Sequence, residues 1–183
     1  LRELGLDAVI RERADAGVPV LGGDTSTADR VVLSVTALGR SERVPGRAGA
    51  RPGDVLVVTG PLGGAGAAFR EQRYVRPPLR LEEGRRLART AHAMLDISDG
   101  IGRDAGHIAA RSGCRLVVEL ERVPLAEGAA VDDLGFGEDY ELLAAVPDAG
   151  GFHEIGRCEA GEGVELLLAG EPAYLSGWEH FRG

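Results

Sequence analysis

Residues 94–104 read MLDISDGIGRD, which sets Asp96, Asp99 and Asp104 around Ser98 and two glycines directly after an apolar run. Carboxylates at the end of a strand have two common uses. They cap the next helix and shape the turn, a side-chain oxygen accepting a helix N–H. Or they hold a divalent cation that handles phosphate, because Mg²⁺ takes one or two carboxylates and fills its other positions with phosphate oxygens and water. Capping explains Ser98 or Asp99, but not Asp96 and Asp99 together. Asp24 in LGGDTST (21–27) repeats the pattern, an acid after an apolar stretch with Gly23 leaving the backbone open to close approach. Acids gathered at strand ends repel one another unless a cation joins them. Asp104 and His107 fall one and two turns into the following helix and read as surface or packing residues.

Four further stretches carry chemistry-bearing residues. GRAGARPGD (46–54) offers Arg47 and Arg51, either as solvated side chains or as guanidinium forks for a phosphate. GPLGGAGAA (60–68) could cradle a phosphate at a helix N-terminus, but it lacks the Lys-Ser/Thr ending of a Walker loop. Tight helix–strand packing explains it at least as well. GFGEDYEL (135–142) places Glu138 and Asp139 as turn residues and Tyr140 as a core residue. SGWEHF (176–181) holds the only tryptophan, Trp178, which either docks the tail on the core or stacks on an aromatic ligand.

The composition narrows the options. All 21 basic residues are arginine, so any phosphate chemistry has to use metal ions and arginine in place of a P-loop or kinase lysine. A net charge of −8 disfavours nucleic acid and anionic membranes as partners. The two cysteines, Cys114 and Cys158, lie far apart without metal-ligand spacing, which suits a reduced, cytoplasmic protein. No apolar run approaches the ~20 residues of a membrane span.

The elements that must position these residues follow from periodicity. Residues 1–17 show helical spacing, and VPVL (18–21) and RVVLSVTALG (30–39) read as strands. A fifteen-residue irregular stretch, 40–54, leads to VLVVTG, whose unbroken apolarity suits a sheet covered on both faces. Helices are expected from the glycine-rich turn at 61–73, over 76–91 and from Gly100 to Ser112. Strands are expected at AMLDI, CRLVVELERVPL, ELLAAV, EIGRC, GVELLLAG and AYLSG. The alternation implies an α/β (α+β) domain from about Pro52 onward.

Taken together, GGDTS, RAGARPGD, MLDISDG, GEDYEL and GWEHF resemble, in wording and order, the thiamine-monophosphate kinase family. That family belongs to the superfamily of ATP-dependent enzymes related to aminoimidazole ribonucleotide synthetase, and the resemblance runs from about residue 10 to the C-terminus. It implies a two-domain fold, with residues 1–45 the tail of an N-terminal ATP-binding and dimerisation domain and 46–183 the C-terminal α/β domain. It implies transfer of the ATP γ-phosphoryl group to thiamine phosphate, several Mg²⁺ ions and a homodimer when full length. By motif, Asp24, Asp96 and Asp99 would bind Mg²⁺, with Gly23, Asp24, Arg47 and Ser98 at the nucleotide. Glu138 and Trp178 would hold thiamine phosphate, and no residue is assigned as general base. The family's N-terminal segment with its Gly-Asp-Asp motif does not precede Leu1, so a molecule of residues 1–183 alone is expected to bind ATP poorly. Two alternatives stand beside this reading: an ATP-dependent enzyme of the same superfamily with a different substrate, and a non-catalytic remnant that folds and binds ligand.

Overall fold

The computed structural model describes residues 17–24, 26–30 and 32–177. The chain divides into two units, Leu1–Ser41 and Glu42–Gly183.

In the first unit the described residues form no helix or strand. The strands expected at 18–21 and 30–39 are absent, and the apolar side chains that prompted them lie in solvent: Leu21 is 82% exposed, Val32 83% and Leu38 80%. The physical reason is the missing ladder. Strand propensity is local, but a strand is stable only when its N–H and C=O groups find a partner strand. Among the described residues no strand pairs with this segment. The helix expected over 1–17 lies almost wholly outside the described residues.

The second unit is built on a seven-stranded sheet. In chain order its elements are β1 (Val55–Val58), α1 (Gly64–Arg70), α2 (Leu81–Ala88), β2 (Ala93–Asp96), α3 (Ile101–Ser112), β3 (Arg115–Glu119), β4 (Leu142–Val146), β5 (His153–Glu159), β6 (Gly163–Leu168) and β7 (Glu171–Ala173). The strands lie in the order β2-β4-β1-β5-β3-β6-β7. Every pairing is antiparallel except β3 with β6.

The apolarity of β1 foretold its surroundings correctly. Successive strand side chains point to opposite faces, and both faces are covered. Leu56 and Val58 join Leu143, Ile101, Ala105 and Ile108 in the core under α3. Val57 packs with Ala144, Val146 and Leu87 of α2 on the other side. The helix expected from Gly100 to Ser112 is α3. It starts after a glycine with φ +101° and ends at Gly113 in the left-handed region, a common stop. The final strand sits two residues earlier than AYLSG suggested. Ala169 (φ +53°) and Gly170 (φ +81°) make a tight reversal, which pairs Leu168 with Glu171 and pulls β7 back.

The irregular stretch 40–54 is tied down by backbone and side chain. Met94 N–H donates to the Gly46 carbonyl at 2.9 Å. The Ser112 hydroxyl accepts from Gly49 and Ala50 N–H and donates to the Arg47 carbonyl at 3.2 Å. Arg43 donates to the carbonyls of Arg89 and Ala91 just past α2, both at 2.7 Å. Among the described residues no helix is long and apolar enough to cross a membrane.

Candidate functional site

Two loops meet at the open end of β2 and β4. One is 97–100, which carries Ser98 and Asp99; the other is 137–141, which carries Glu138. They are laced as if the strand pairing continued: Ile97 N–H donates to the Glu141 carbonyl (2.8 Å), Tyr140 N–H to the Ile97 carbonyl (2.9 Å) and Glu138 N–H to the Ser98 carbonyl (3.0 Å). Glycine permits this approach. A side chain at Gly137 (φ +80°) would collide with the Ser98 carbonyl, and one at Gly100 would lie 2.6 Å from the Gly135 carbonyl.

Six carboxylates sit on or beside these loops, Glu141 among them, and burial divides them. Asp104 is 3% exposed, and its Oδ2 accepts the N–H groups of Ser98 (3.0 Å) and Asp99 (2.9 Å). It is therefore structural, as expected, though buried and not on the surface. Burial pushes its carboxyl above the usual carboxylate range, against those two N–H bonds. Asp139 is also buried and accepts Gly63 N–H (2.8 Å) and Ala65 N–H (3.2 Å) at the start of α1. Burial raises its carboxyl too. These bonds settle the glycine-rich stretch 60–68: Asp139 takes its helix-start N–H groups, so it is a packing loop and not a phosphate cradle. Asp96, at the end of β2, and Glu138 are exposed, and Asp99 is half-buried with the Arg103 Nε 3.5 Å away.

Tyr140 corrects an expectation. It is 38% exposed with φ +52°, not a core residue. Its neighbours Asp139 and Glu141 turn inward, so alternation sends the ring outward with Glu138. Its hydroxyl donates to Glu138 Oε2 at 3.4 Å. Partial burial raises the phenol's pKa first, and the Glu138, Asp96 and Asp99 carboxylates raise it further. Those three acids thus act on one phenol. Beside Glu138 lies a cavity of about 230 Å³ whose lining includes Pro61, Ala65, Pro77, Arg80 and Glu141.

The arrangement matches a known family. The family described as AIR synthase related protein, C-terminal domain, matches residues 51–155. The chain belongs to that family. Two relatives of this AIR synthase related chain are thiamine-monophosphate kinases. That of Aquifex aeolicus (strain VF5) is 34% identical over 194 residues, covering 88% of this chain and 63% of that protein. That of Methanopyrus kandleri is 38% identical over 194 residues, covering 90% and 62%. The solved structure of AaThiL complexed with AMPPCP and TMP is similar with a TM-score of 0.67 at 33% identity, covering 77% of this chain and 55% of that one. The chain spans less than two thirds of the length of these relatives.

Of the residues singled out in the sequence, the AIR synthase related unit brings Asp96, Ser98, Asp99 and Glu138 together. Gly177, the last described residue, lies against this group, within 3.4 Å of the Asp99 carbonyl for a modest side chain. Trp178 itself lies outside the described residues. Arg47 is exposed and does not join them. Its carbonyl is fixed at Ser112, the opposite end of α3 from Ser98. A twelve-residue helix separates the two anchors, about 18 Å along its axis. Gly23 and Asp24 belong to the other unit, where both are exposed.

The donor set at Asp96 and Asp99 fits a hard cation, since it offers carboxylate oxygens and no sulfur. Ligand atoms of Asp99, Asp104 and His107 also come within 4.8 Å of one another, but one Asp104 oxygen is already committed to two backbone N–H groups. Sequence reasoning missed Thr59, Arg80 and Glu141. Glu141 is 2% exposed and takes two bonds from the Arg80 guanidinium and one from the Thr59 hydroxyl. A signal was there: Asp139 and Glu141, two apart before an apolar strand, had to share a face, and buried acids need partners.

Proposed function

We propose that the intact protein carrying this chain is a Mg²⁺-dependent thiamine-phosphate kinase, which transfers the γ-phosphoryl group of ATP to thiamine phosphate and releases thiamine diphosphate and ADP. The observation that carries the reading is the lacing of loop 97–100 to loop 137–141, which puts Asp96, Ser98 and Asp99 beside Glu138. Support comes from relatives named thiamine-monophosphate kinase and from AaThiL, complexed with AMPPCP and TMP.

In this reading Asp96 and Asp99 hold Mg²⁺, which neutralises phosphate charge when bound, and Asp24 is a metal ligand by its motif. Ser98 contacts the nucleotide, with Gly23 beside it. Arg47 approaches the phosphates from a separate direction, because its anchor lies a helix length from Ser98. Glu138 faces the substrate's cationic thiazolium end, and Trp178 packs against its rings. The nucleophile is a phosphate oxygen of thiamine phosphate, already largely ionised near neutral pH, so no protein base is required. The protein's work is positioning and charge complementarity. Residues 1–45 are the tail of an N-terminal domain that completes the nucleotide site and a homodimer, and the enzyme is cytoplasmic. The test is formation of ADP and thiamine diphosphate by the intact, folded protein with Mg²⁺ and ATP. A folded protein that leaves thiamine phosphate unchanged overturns the proposal.

A further inference from the structure

Loop 137–140 has an unusual backbone. Gly137 (φ +80°), Glu138 (φ +60°) and Tyr140 (φ +52°) all lie in the left-handed region, and two of the three are not glycine. Such conformations persist where the surroundings over-determine them, and they gather at binding and catalytic sites. Two inward acids alternate with the outward pair. Asp139 is anchored on the start of α1. Glu141 is anchored on Arg80 and Thr59: Arg80 Nη2 donates to Oε1 (2.6 Å), and Arg80 Nε (2.7 Å) and the Thr59 hydroxyl (2.5 Å) donate to Oε2. The Thr59 oxygen also accepts Leu142 N–H at 2.8 Å, which closes a ring around residues 141 and 142. Arg80 is braced in turn by Glu83 at 3.0 Å. Gly60 leaves room for the ion pair, since any side chain there would strike Arg80 and Glu141. Arg80, Glu138 and Glu141 all line the same cavity.

We propose that Thr59, Arg80 and Glu141 are positioning residues, which hold loop 137–140 in its left-handed form so that Glu138 presents its carboxylate to the substrate. The inference rests on the assignment of Glu138 to thiamine phosphate. A half-buried ion pair that served stability alone would leave substrate affinity untouched when weakened, so affinity separates the two roles.

The experiment compares Thr59→Val, Thr59→Ser and Arg80→Lys in the intact protein. Thr59→Val is nearly isosteric and removes one donor to Glu141 and the acceptor for Leu142 N–H. Loss of this brace is expected to raise KM for thiamine phosphate about fivefold, corresponding to ~1 kcal/mol of positioning, with kcat and KM for ATP within about twofold. Thr59→Ser keeps the hydroxyl and is expected to retain the wild-type KM. Arg80→Lys keeps the charge but not the fork, and is expected to raise KM as Thr59→Val does. Amide hydrogen exchange at Glu138 and Tyr140 is expected to quicken in Thr59→Val and not in Thr59→Ser, with α3 unchanged. Lower thermal midpoints with unchanged KM and exchange would overturn the proposal. If the wild-type protein does not phosphorylate thiamine phosphate, the functional assignment fails, and the exchange measurement still decides whether these residues hold the loop.

Discussion

Asp104→Ala measures how much of the 97–100 loop is held by one buried side chain. The carboxylate accepts two backbone N–H groups, those of Ser98 and Asp99, at 3.0 and 2.9 Å. It also supplies the acid in the first turn of α3, whose N-cap Gly100 makes no side-chain bond. Removing it leaves both N–H groups without that acceptor. Each hydrogen bond to a charged group contributes about 1.5–3 kcal/mol when buried. Ser98 and Asp99 are half-buried, so water recovers part of this, and about 1–1.5 kcal/mol per bond is reasonable. The lost charge at the helix start adds about 0.3–1 kcal/mol. The expected loss is therefore about 2–4 kcal/mol, or roughly 5–15 °C in Tm for a chain of this length. Asp104→Asn keeps one acceptor oxygen and should lose about half as much. Asp96→Ala removes an exposed carboxylate and should stay within about 0.5 kcal/mol of the wild type. Urea unfolding, followed through its midpoint at constant slope, reads all three. An Asp104→Ala variant within ~0.5 kcal/mol of the wild type would refute the claim that this side chain holds the loop.

Glu138→Gln keeps the shape of an exposed residue and removes its charge, so stability should hold while KM for thiamine phosphate rises about tenfold, a change in steady-state kinetics worth ~1.4 kcal/mol. Cys114 and Cys158 are buried, and burial pushes the Cys158 thiol up to about 12. Neither should react with an aromatic disulfide reagent at pH 8 in the native protein, and both should react in denaturant. Asp139 has its carboxyl raised by burial, so the native state binds that proton more tightly than the unfolded state does. Its contribution is fully present below the ordinary carboxylate value and is lost as pH rises through the raised one. The stability advantage of wild type over Asp139→Asn should accordingly shrink in urea titrations as pH rises above the ordinary carboxylate value; an advantage that grows with pH would contradict the sign.

What was legible in the sequence is what local pattern encodes. The apolar run Val55–Val58, the strand ending at Asp96 and the helix Ile101–Ser112 stand where periodicity and glycine punctuation put them. What failed depended on partners far along the chain. Residues 32–38 have strand propensity, but propensity supplies no ladder, and their side chains lie exposed. Tyr140 looks like core by hydrophobicity, yet its acidic neighbours have the stronger claims on the interior, one for helix N–H groups and one for a guanidinium. At the site, residue types were legible and proximity was not. Nothing local says that Glu138 N–H bonds the Ser98 carbonyl, or that Arg47 is anchored at the far end of α3.

The division of the acids carries the functional argument furthest. Asp104, Asp139 and Glu141 are buried, and their hydrogen bonds go to backbone N–H groups, a hydroxyl or arginine. Their oxygens are used within the fold, and they act as shape. Asp96, at the end of β2, and Glu138 are exposed where the two loops meet, and with Asp99 they reach far enough to raise the Tyr140 phenol. Gathering like charges costs stability, and nothing in the packing requires Asp96 or Glu138 to be acidic. A ligand can turn that cost into binding only if it brings positive charge to the loops. A metal ion and a thiazolium ring both do so, whereas a bare phosphate does the opposite. The electrostatics of loops 97–100 and 137–141 therefore suit the cation-bridged nucleotide and cationic substrate proposed above, and Arg47, the proposed phosphate contact, stands apart from them.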